Sequence, residues 1–434
     1  MTTFPKYERY KDSGVEWLGE VPEHREVEKG LRYLFETEDR SVKGDEELLS
    51  VSHLTGVTPR SEKNITMFMA ESYEGSKLCD VGDIAINTMW AWMSALGVSK
   101  YRGLVSPSYG TYRQRKPERF NPTFLDHLIR TDVYRSHYMV NSTGITTSRL
   151  RLYPHSFLRL KFICPPHEEQ DRIVAFLDQK TAEIDALIAK KQRQIELLDE
   201  QKAILINRAV TRGLNPNAKL KPSGIEWIGE IPEHWEVVPL KRNANVQTGL
   251  TLGKDYPPSR SVDVPYLRVA NVQNGHLALG SVTTLRVPKS LVPRYALQEG
   301  DVLVAEGGDL DKLGRGCVWR SEIETCTHQN HVFAVRPYPA KILPEFLSLA
   351  LSCKYGQRYF MLTGKQTTNL ASTNSTALMN FPVALPVVEE QAQILKALDE
   401  IKSGFQGLSR LIEFEIKTLK ALRSTLIGRA NFFL

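Results

Sequence analysis

One segment of this chain occurs twice, and that constrains the fold more than any other feature. Residues 13–24 read SGVEWLGEVPEH and residues 223–234 read SGIEWIGEIPEH, identical at nine of twelve positions. The other three exchange one branched aliphatic for another: Val15/Ile225, Leu18/Ile228 and Val21/Ile231. A second echo follows in the same order, with PPHEEQDRIVAFLD at 165–178 returning as PVVEEQAQILKALD at 386–399. Stacked repeats recur every ~20–50 residues. Here the offsets are 210 and 221 residues, so each repeating unit is the size of a domain. A duplicated frame around two unlike inserts predicts two similar modules with different specificities, the second insert being the longer.

The segmentation that follows is a frame segment at 1–24, a first insert at 25–164, a long helix at 165–212, a linker and second frame segment at 213–234, a second insert at 235–385, and a second long helix at 386–434. At 434 residues, two globular domains with extra elements is the natural expectation. Hydrophobic content of 41% and charged content of 24% are ordinary for a globular protein. The sequence has neither an apolar run of membrane-spanning length nor a basic-then-apolar leader, so no membrane span and no signal peptide is expected. Five scattered cysteines imply no disulfide framework and fit a reducing cytoplasm. A net charge of +6 permits a nucleic-acid partner without demanding one.

The helices carry the clearest periodicity. In the second, Leu398, Phe405, Ile412, Leu419 and Leu426 recur every seven residues, with Ile401, Leu408 and Leu422 as companions three residues on and Glu415 interrupting. The first gives Leu177, Ile184, Leu198 and Leu205 with Lys191 in the middle, and a weaker companion stripe of Leu187, Ile188 and Ile195. A sustained seven-residue apolar repeat makes a coiled-coil seam. Prolines sit just ahead of each helix and Gly213 closes the first. The expected architecture is two similar mixed α/β domains separated by long helices that pair as an antiparallel coiled coil, with pseudo-two-fold symmetry. Trp17 and Trp227 are the expected apolar anchors of the frame segments.

Both inserts read as α/β. Strand-like runs lie at 48–54, 83–87, 264–272, 301–305 and 331–337. Gly82-Asp83 and Gly300-Asp301 precede comparable strands, and NPTFLDHLI at 121–129 echoes LPEFLSLAL at 343–351 as a helix signal. The loops are unusual. In the first insert, residues 88–113 carry Trp90, Trp92, Lys100, Tyr101, Arg102, Ser106, Ser108, Tyr109, Tyr112 and Arg113, and NSTGITTSRLR at 141–151 adds Thr146, Thr147, Arg149 and Arg151. Aromatics with cations and hydroxyls suit backbone and base-edge contacts. For Trp90 and Trp92 taken singly, a core position is the stronger expectation. In the second insert the counterparts are Asp309, Lys312 and Arg315 in a Gly-flanked loop, then His328, Gln329 and Asn330, then Lys365, Gln366, Thr367 and Asn369. Amides suit adenine and cations suit guanine.

Catalytic motifs fail on inspection. GLTLGK at 249–254 is one residue short of a phosphate loop, with Asp255 where Ser or Thr is required. Cys326-x-His328-x-x-His331 lacks a fourth metal ligand. NPTF at 121–124 lacks the second proline of an adenine-methyltransferase motif. No catalytic, cofactor-binding or metal-binding residue is expected, and the chain reads as a binder.

The duplicated SG[VI]EW[LI]GE[VI]PEH, the duplicated Pro-then-EEQ helix and the LINRAVTRGLNP exit from the first helix together resemble the DNA-specificity subunit of type I restriction–modification systems, over about residues 10–430. The resemblance implies that the inserts are target recognition domains, each reading one half of a bipartite double-stranded DNA site. It implies that the helices act as a spacer and dock two modification subunits, which methylate adenine with S-adenosylmethionine. Two restriction subunits would add ATP- and magnesium-dependent translocation and cleavage, and this chain would have no catalytic role. Two other classes remain: the specificity chain of a type II enzyme with a fused nuclease–methylase partner, and a scaffold binding only proteins.

Overall fold

A computed structural model of the chain describes residues 7–63, 72–146, 150–251, 256–308, 313–366 and 371–433. It divides into two compact units, residues 1–191 with 413–434, and residues 192–412.

In the first unit, strands β1 (Glu26–Lys29), β2 (Leu34–Glu36), β3 (Ile84–Ile86), β4 (Leu96–Val98) and β5 (Gly110–Gln114) are followed by helices α1 (Pro122–Ile129) and α2 (Asp132–Asn141), strand β6 (Lys161–Cys164) and the start of helix α3 (His167–Arg212). Strands β2–β5–β3–β4 form an antiparallel sheet in that order, and β1 pairs with β6. The second unit repeats this plan with β7 (Glu236–Pro239), β8 (Ala244–Thr248), β9 (Val302–Ala305), β10 (Gly316–Val318) and β11 (Val332–Pro337), then α4 (Pro344–Ser352), α5 (Lys354–Thr363), β12 (Pro382–Leu385) and α6 (Val388–Phe433). Its sheet runs β8–β11–β9–β10, and β7 pairs with β12. Counted along the chain, both sheets have the same strand order with every neighbour antiparallel, so the inserts are one fold twice.

The two Gly-Asp turns do the same work in each sheet. Gly82 and Gly300 have φ of 89° and 86°, a left-handed conformation that glycine adopts without a Cβ clash. Each turn buries its aspartate. Asp83 accepts from the amide of Asp80 and from Arg113 Nε at 2.8 Å, and Asp301 accepts from the amide of Gln298 and from Arg336 Nε at 2.7 Å. The arginine comes from the neighbouring strand, so the pair ties β3 to β5 and β9 to β11.

Frame segment and helix start form a clasp. Gln170 and Gln391, both fully buried, each hold three backbone groups. Gln170 Oε1 accepts from the Asn121 amide and its Nε2 donates to the carbonyls of Arg119 and Pro165. Gln391 makes the corresponding three bonds, to Leu343, Lys341 and Pro386. Asn121 and Leu343 are the N-caps of α1 and α4, so one amide side chain joins the long helix to the first helix of the insert. The preceding glutamates differ. Glu169 receives the buried Arg25 guanidinium, the Tyr7 hydroxyl and His24, while Arg25 Nη1 also donates to the Phe432 carbonyl near the end of α6. Glu390 receives His234 Nε2 at 2.9 Å and the Trp235 indole at 3.1 Å. The frame tryptophans anchor on the inserts, Trp17 against Tyr134 and His137 and Trp227 against Tyr359.

Within the first unit the long helices run antiparallel. Lys191 pairs with Glu415 at 2.8 Å and Asp185 with Arg423 at 3.0 Å, so later residues on one helix meet earlier residues on the other. In the second unit, Ala209 and Val210 of α3 share a core with Ile394 and Leu398 of α6. The companion stripe departs from the sequence expectation. Ile188, Ile195 and Ile401 of that stripe are half-buried as expected, but Leu187, Leu408 and Leu422 are 46%, 51% and 53% exposed, and Thr181, Ile416 and Ala430, each four beyond a primary position, turn inward instead. At 3.6 residues per turn, positions three and four on flank the primary stripe on opposite sides. The three-on flank of α6 carries Glu415 and Arg429, which remain solvated, so the other flank is buried. Lys191 lies half-buried in the seam, and Glu415 reaches it from the rim.

Candidate nucleic-acid interface

Each unit gathers three loops at one end of its sheet. In the first, the β3–β4 tip (87–95), the 106–109 turn and the chain entering and leaving 143–151 are tied together. The Leu152 amide donates to the Thr88 carbonyl at 3.0 Å, and the Thr88 hydroxyl donates to the Ser108 carbonyl at 3.0 Å. Asn87 Nδ2 donates to the Tyr109 hydroxyl, and Thr143 and Arg151 exchange both backbone bonds. In the second unit the corresponding bond runs from the Thr373 amide to the Glu306 carbonyl at 2.8 Å. There Gly307-Gly308 at the β9–β10 tip pair with Ala371-Ser372, which pair in turn with Lys365-Gln366. His331 closes the group, its carbonyl accepting from the Glu306 amide at 2.9 Å and its Nδ1 lying 2.5 Å from the Glu306 carboxylate. One scaffold thus presents two loop clusters whose larger side chains differ, Trp90 and Tyr109 in one and His331 and Lys365 in the other.

Many of the expected contact residues come together here. Ser106 and Ser108 lie on the 106–109 turn, hydroxyl to hydroxyl at 2.9 Å. Thr146 is exposed at the third loop, whereas Lys100 and Arg102, also exposed, lie at the opposite end of the sheet, where Ser99 bonds Gly82 and Asp83 and Arg102 meets Asp80. Lys365 and Gln366 are exposed on the small sheet. Tyr101 and Tyr109 lay their rings on a small core of Leu49, Val51, Val57, Cys79, Ala85 and Val105, so their packing is structural even where their edges are open. Trp92 is half-buried and spends its indole N–H on the Met89 carbonyl. Arg315 is half-buried and lines a cavity of about 180 Å³ with Gln273, Asn274, Ser352 and Gln357. Gln329 and Asn330 are half-buried, their amides bonded to Leu267 and Leu250. Thr147, Arg149, Asp309, Lys312, Thr367 and Asn369 lie outside the described residues, as do residues 252–255 of the GLTLGK stretch.

Two expectations are corrected. His328 is completely buried, with Nδ1 2.7 Å from the Val332 carbonyl, and burial pushes its pKa below the usual imidazole range. It sits on a short strand parallel to 261–267 that is covered on both faces, so Thr327 and His328 are both fully buried, while Gln329 just beyond it is half-buried. A polar triplet in sequence does not reveal which of its members faces solvent. Trp90, expected in the core, is 50% exposed.

All five cysteines are unpaired and buried, each thiol pushed up to about 12 mainly by burial. Among the described residues, no cluster of His, Cys, Asp and Glu is placed to hold a metal ion, and no helix is long and apolar enough to cross a membrane.

Residues 232–417 match the family model described as a type I restriction modification DNA specificity domain. The chain is 24% identical over 313 residues to the type I restriction enzyme EcoKI specificity subunit of Escherichia coli K12, covering 71% of this chain and 64% of that protein. It is 29% identical over 258 residues to the type I restriction enzyme MjaVIII specificity subunit of Methanocaldococcus jannaschii, covering 56% of each. These matches span about half to two thirds of the relatives' own length. A solved structure described as the structural basis of complex assembly and conformational transition of the type I R-M system superposes with a TM-score of 0.63 at 18% identity, over 95% of this chain and 98% of that one. That likeness shows a shared fold.

Proposed function

We propose that this chain is a type I restriction–modification specificity subunit, the DNA-recognition subunit of such a complex, each unit reading one half of a bipartite duplex target. The observation that carries this is the pair of loop clusters. An identical scaffold, joined by identical backbone bonds at Leu152–Thr88 and Thr373–Glu306, presents Trp, Ser and Tyr in one unit and Gly, His, Lys and Gln in the other. A frame held constant while its presented side chains differ is what two half-sites of different sequence require.

On this reading the long helices hold the half-sites apart and dock two modification subunits. The outward-facing Leu408, Leu411, Phe414 and Leu422 of α6, each at least half exposed, give such partners an apolar surface along one helix. Methyl transfer from S-adenosylmethionine, and ATP- and magnesium-dependent cleavage by two restriction subunits, then belong to the partners, and this chain is non-catalytic.

Replacing residues 235–385 with the matching segment of a relative tests the assignment. Sequencing of methylated sites in a host carrying the complex should show one half of the motif changed and the other kept. A motif changed in both halves, or in neither, rejects it.

A further inference from the structure

We propose that Trp90 is the apolar anchor through which the first unit grips the bases of its half-site, an inference that rests on the DNA-reading function proposed above. All six tryptophans are described, and Trp90 alone is exposed; Trp17, Trp92 and Trp227 are half-buried, and Trp235 and Trp319 are buried. Its position is the tip of the β3–β4 hairpin, inside the loop cluster.

Exposed single aromatics are common, so exposure alone says little. What distinguishes Trp90 is how firmly its turn holds it outward. The Trp90 amide donates to the Asn87 carbonyl at 2.9 Å, and the Trp90 carbonyl accepts from both Met93 at 3.0 Å and Ala95 at 3.1 Å. Ser94 takes a left-handed conformation, φ 64°, to close the turn. Helix α2 packs against the turn from behind, and the Leu152 amide ties its base to the third loop. The Trp92 ring lies nearly parallel to the Trp90 ring, 15° between planes at 6.4 Å between centroids. An indole on a pre-formed mount has little conformational entropy left to lose on binding. Large, rigid aromatics of this kind dominate interface energies.

The chemistry selects bases over phosphates. Phosphate oxygens are met by cations, hydroxyls and amides. Indole offers a broad apolar face and one donor, which suits a thymine methyl or an opened base step. The corresponding tip of the second unit, EGGDLDKLGR at 306–315, contains no aromatic residue. The anchor therefore belongs to one half-site only.

The test uses the full chain assembled with its methyltransferase partner and a duplex carrying the mapped target. W90A should lower affinity about tenfold or more, within the range an aromatic–base contact supplies. The slope of log affinity against log salt should not change, because no phosphate contact is lost. W90F, which keeps an aromatic face, should stay within about threefold of wild type and controls for folding. Scrambling the first half-site should erase the difference between W90A and wild type, and scrambling the second should leave it. W90A binding within twofold of wild type overturns the proposal. So does a salt slope reduced by about one unit, which marks a phosphate contact, or failure of W90A to recruit the methyltransferase, which marks a protein anchor. A wild-type assembly that discriminates between no duplexes removes the DNA-reading function itself, and this inference with it.

Discussion

Two clasps begin from the same motif and end in different chemistry. In both units a buried glutamine holds the same three backbone groups, and a histidine of the frame reaches the glutamate beside it. The residue after that histidine differs, Arg25 in one unit and Trp235 in the other. Arg25 makes the first clasp ionic and extends it to the Phe432 carbonyl. Trp235 makes the second neutral, its ring packed beside Gly213 where α3 ends. Both solutions fix a long helix's end against the frame. The backbone contacts are the same in both units, whereas the anchor beside them differs.

The comparison breaks most sharply at the glutamates. Glu169→Ala should destabilise the first unit by about 3–5 kcal/mol, because it strands a buried guanidinium. Glu390→Ala should cost the second unit only about 1–3 kcal/mol, the loss of a neutral donor's partner. Hydrogen exchange of β1 and β7 in each variant reads the two units separately, and equal losses would show that the clasps are energetically alike. Acid should reveal the same asymmetry. Burial raises the Glu169 pKa, but Tyr7, Arg25 and His24 outweigh it and hold the carboxyl below its usual value. A carboxyl with a depressed folded pKa contributes stability above the ordinary Glu range of ~4.3, and that contribution is lost as pH falls through the folded value. The melting temperature of wild type should therefore fall more steeply below about pH 4.5 than that of Glu169→Gln; parallel curves would remove the carboxylate from the account.

Gln170→Leu and Gln391→Leu sharpen the part that is shared. Each leaves a buried N-cap amide and two carbonyls unpaired, so each should cost its own unit about 2 kcal/mol. A difference beyond about 1 kcal/mol would mean that matching bonds hide unequal strain. The smallest effect belongs to the seam. Lys191 and Glu415 are partly solvated, so Glu415→Ala should change the unfolding free energy measured in denaturant by no more than about 0.5 kcal/mol. A loss above 2 kcal/mol would make the pair a determinant of helix registry.

The sequence announces those parts of the molecule whose cause is local. Prolines, heptads and Gly213 mark both long helices, and Gly-Asp turns mark equivalent strands, because turn and helix chemistry act over a few residues. Which flank of a heptad is buried is less plain, because Leu408 and Ile416 are both apolar and the charges on the three-on flank, Glu415 and Arg429, stand two heptads apart. His328 and Trp90 depart from the sequence expectation for a related reason. Side-chain direction on a two-residue strand or a hairpin tip is set by neighbours distant in sequence, the 261–267 strand for one and α2 for the other. The Arg25–Glu169 contact was invisible too, although its two residues sit one beside and one within the repeated motifs.

The division of the chain has a consequence for its synthesis. The second unit is one continuous stretch, residues 192–412, while the first needs residues 413–434 as well. Those residues include Ala430 and Phe432 of its core and the carbonyl that Arg25 caps. At ~5–20 residues per second, they leave the ribosome on the order of ten to forty seconds after Lys191 does. The unit translated first is thus completed last, and throughout that interval the nascent chain carries Arg25 and the open side of its first core without the helix that covers them.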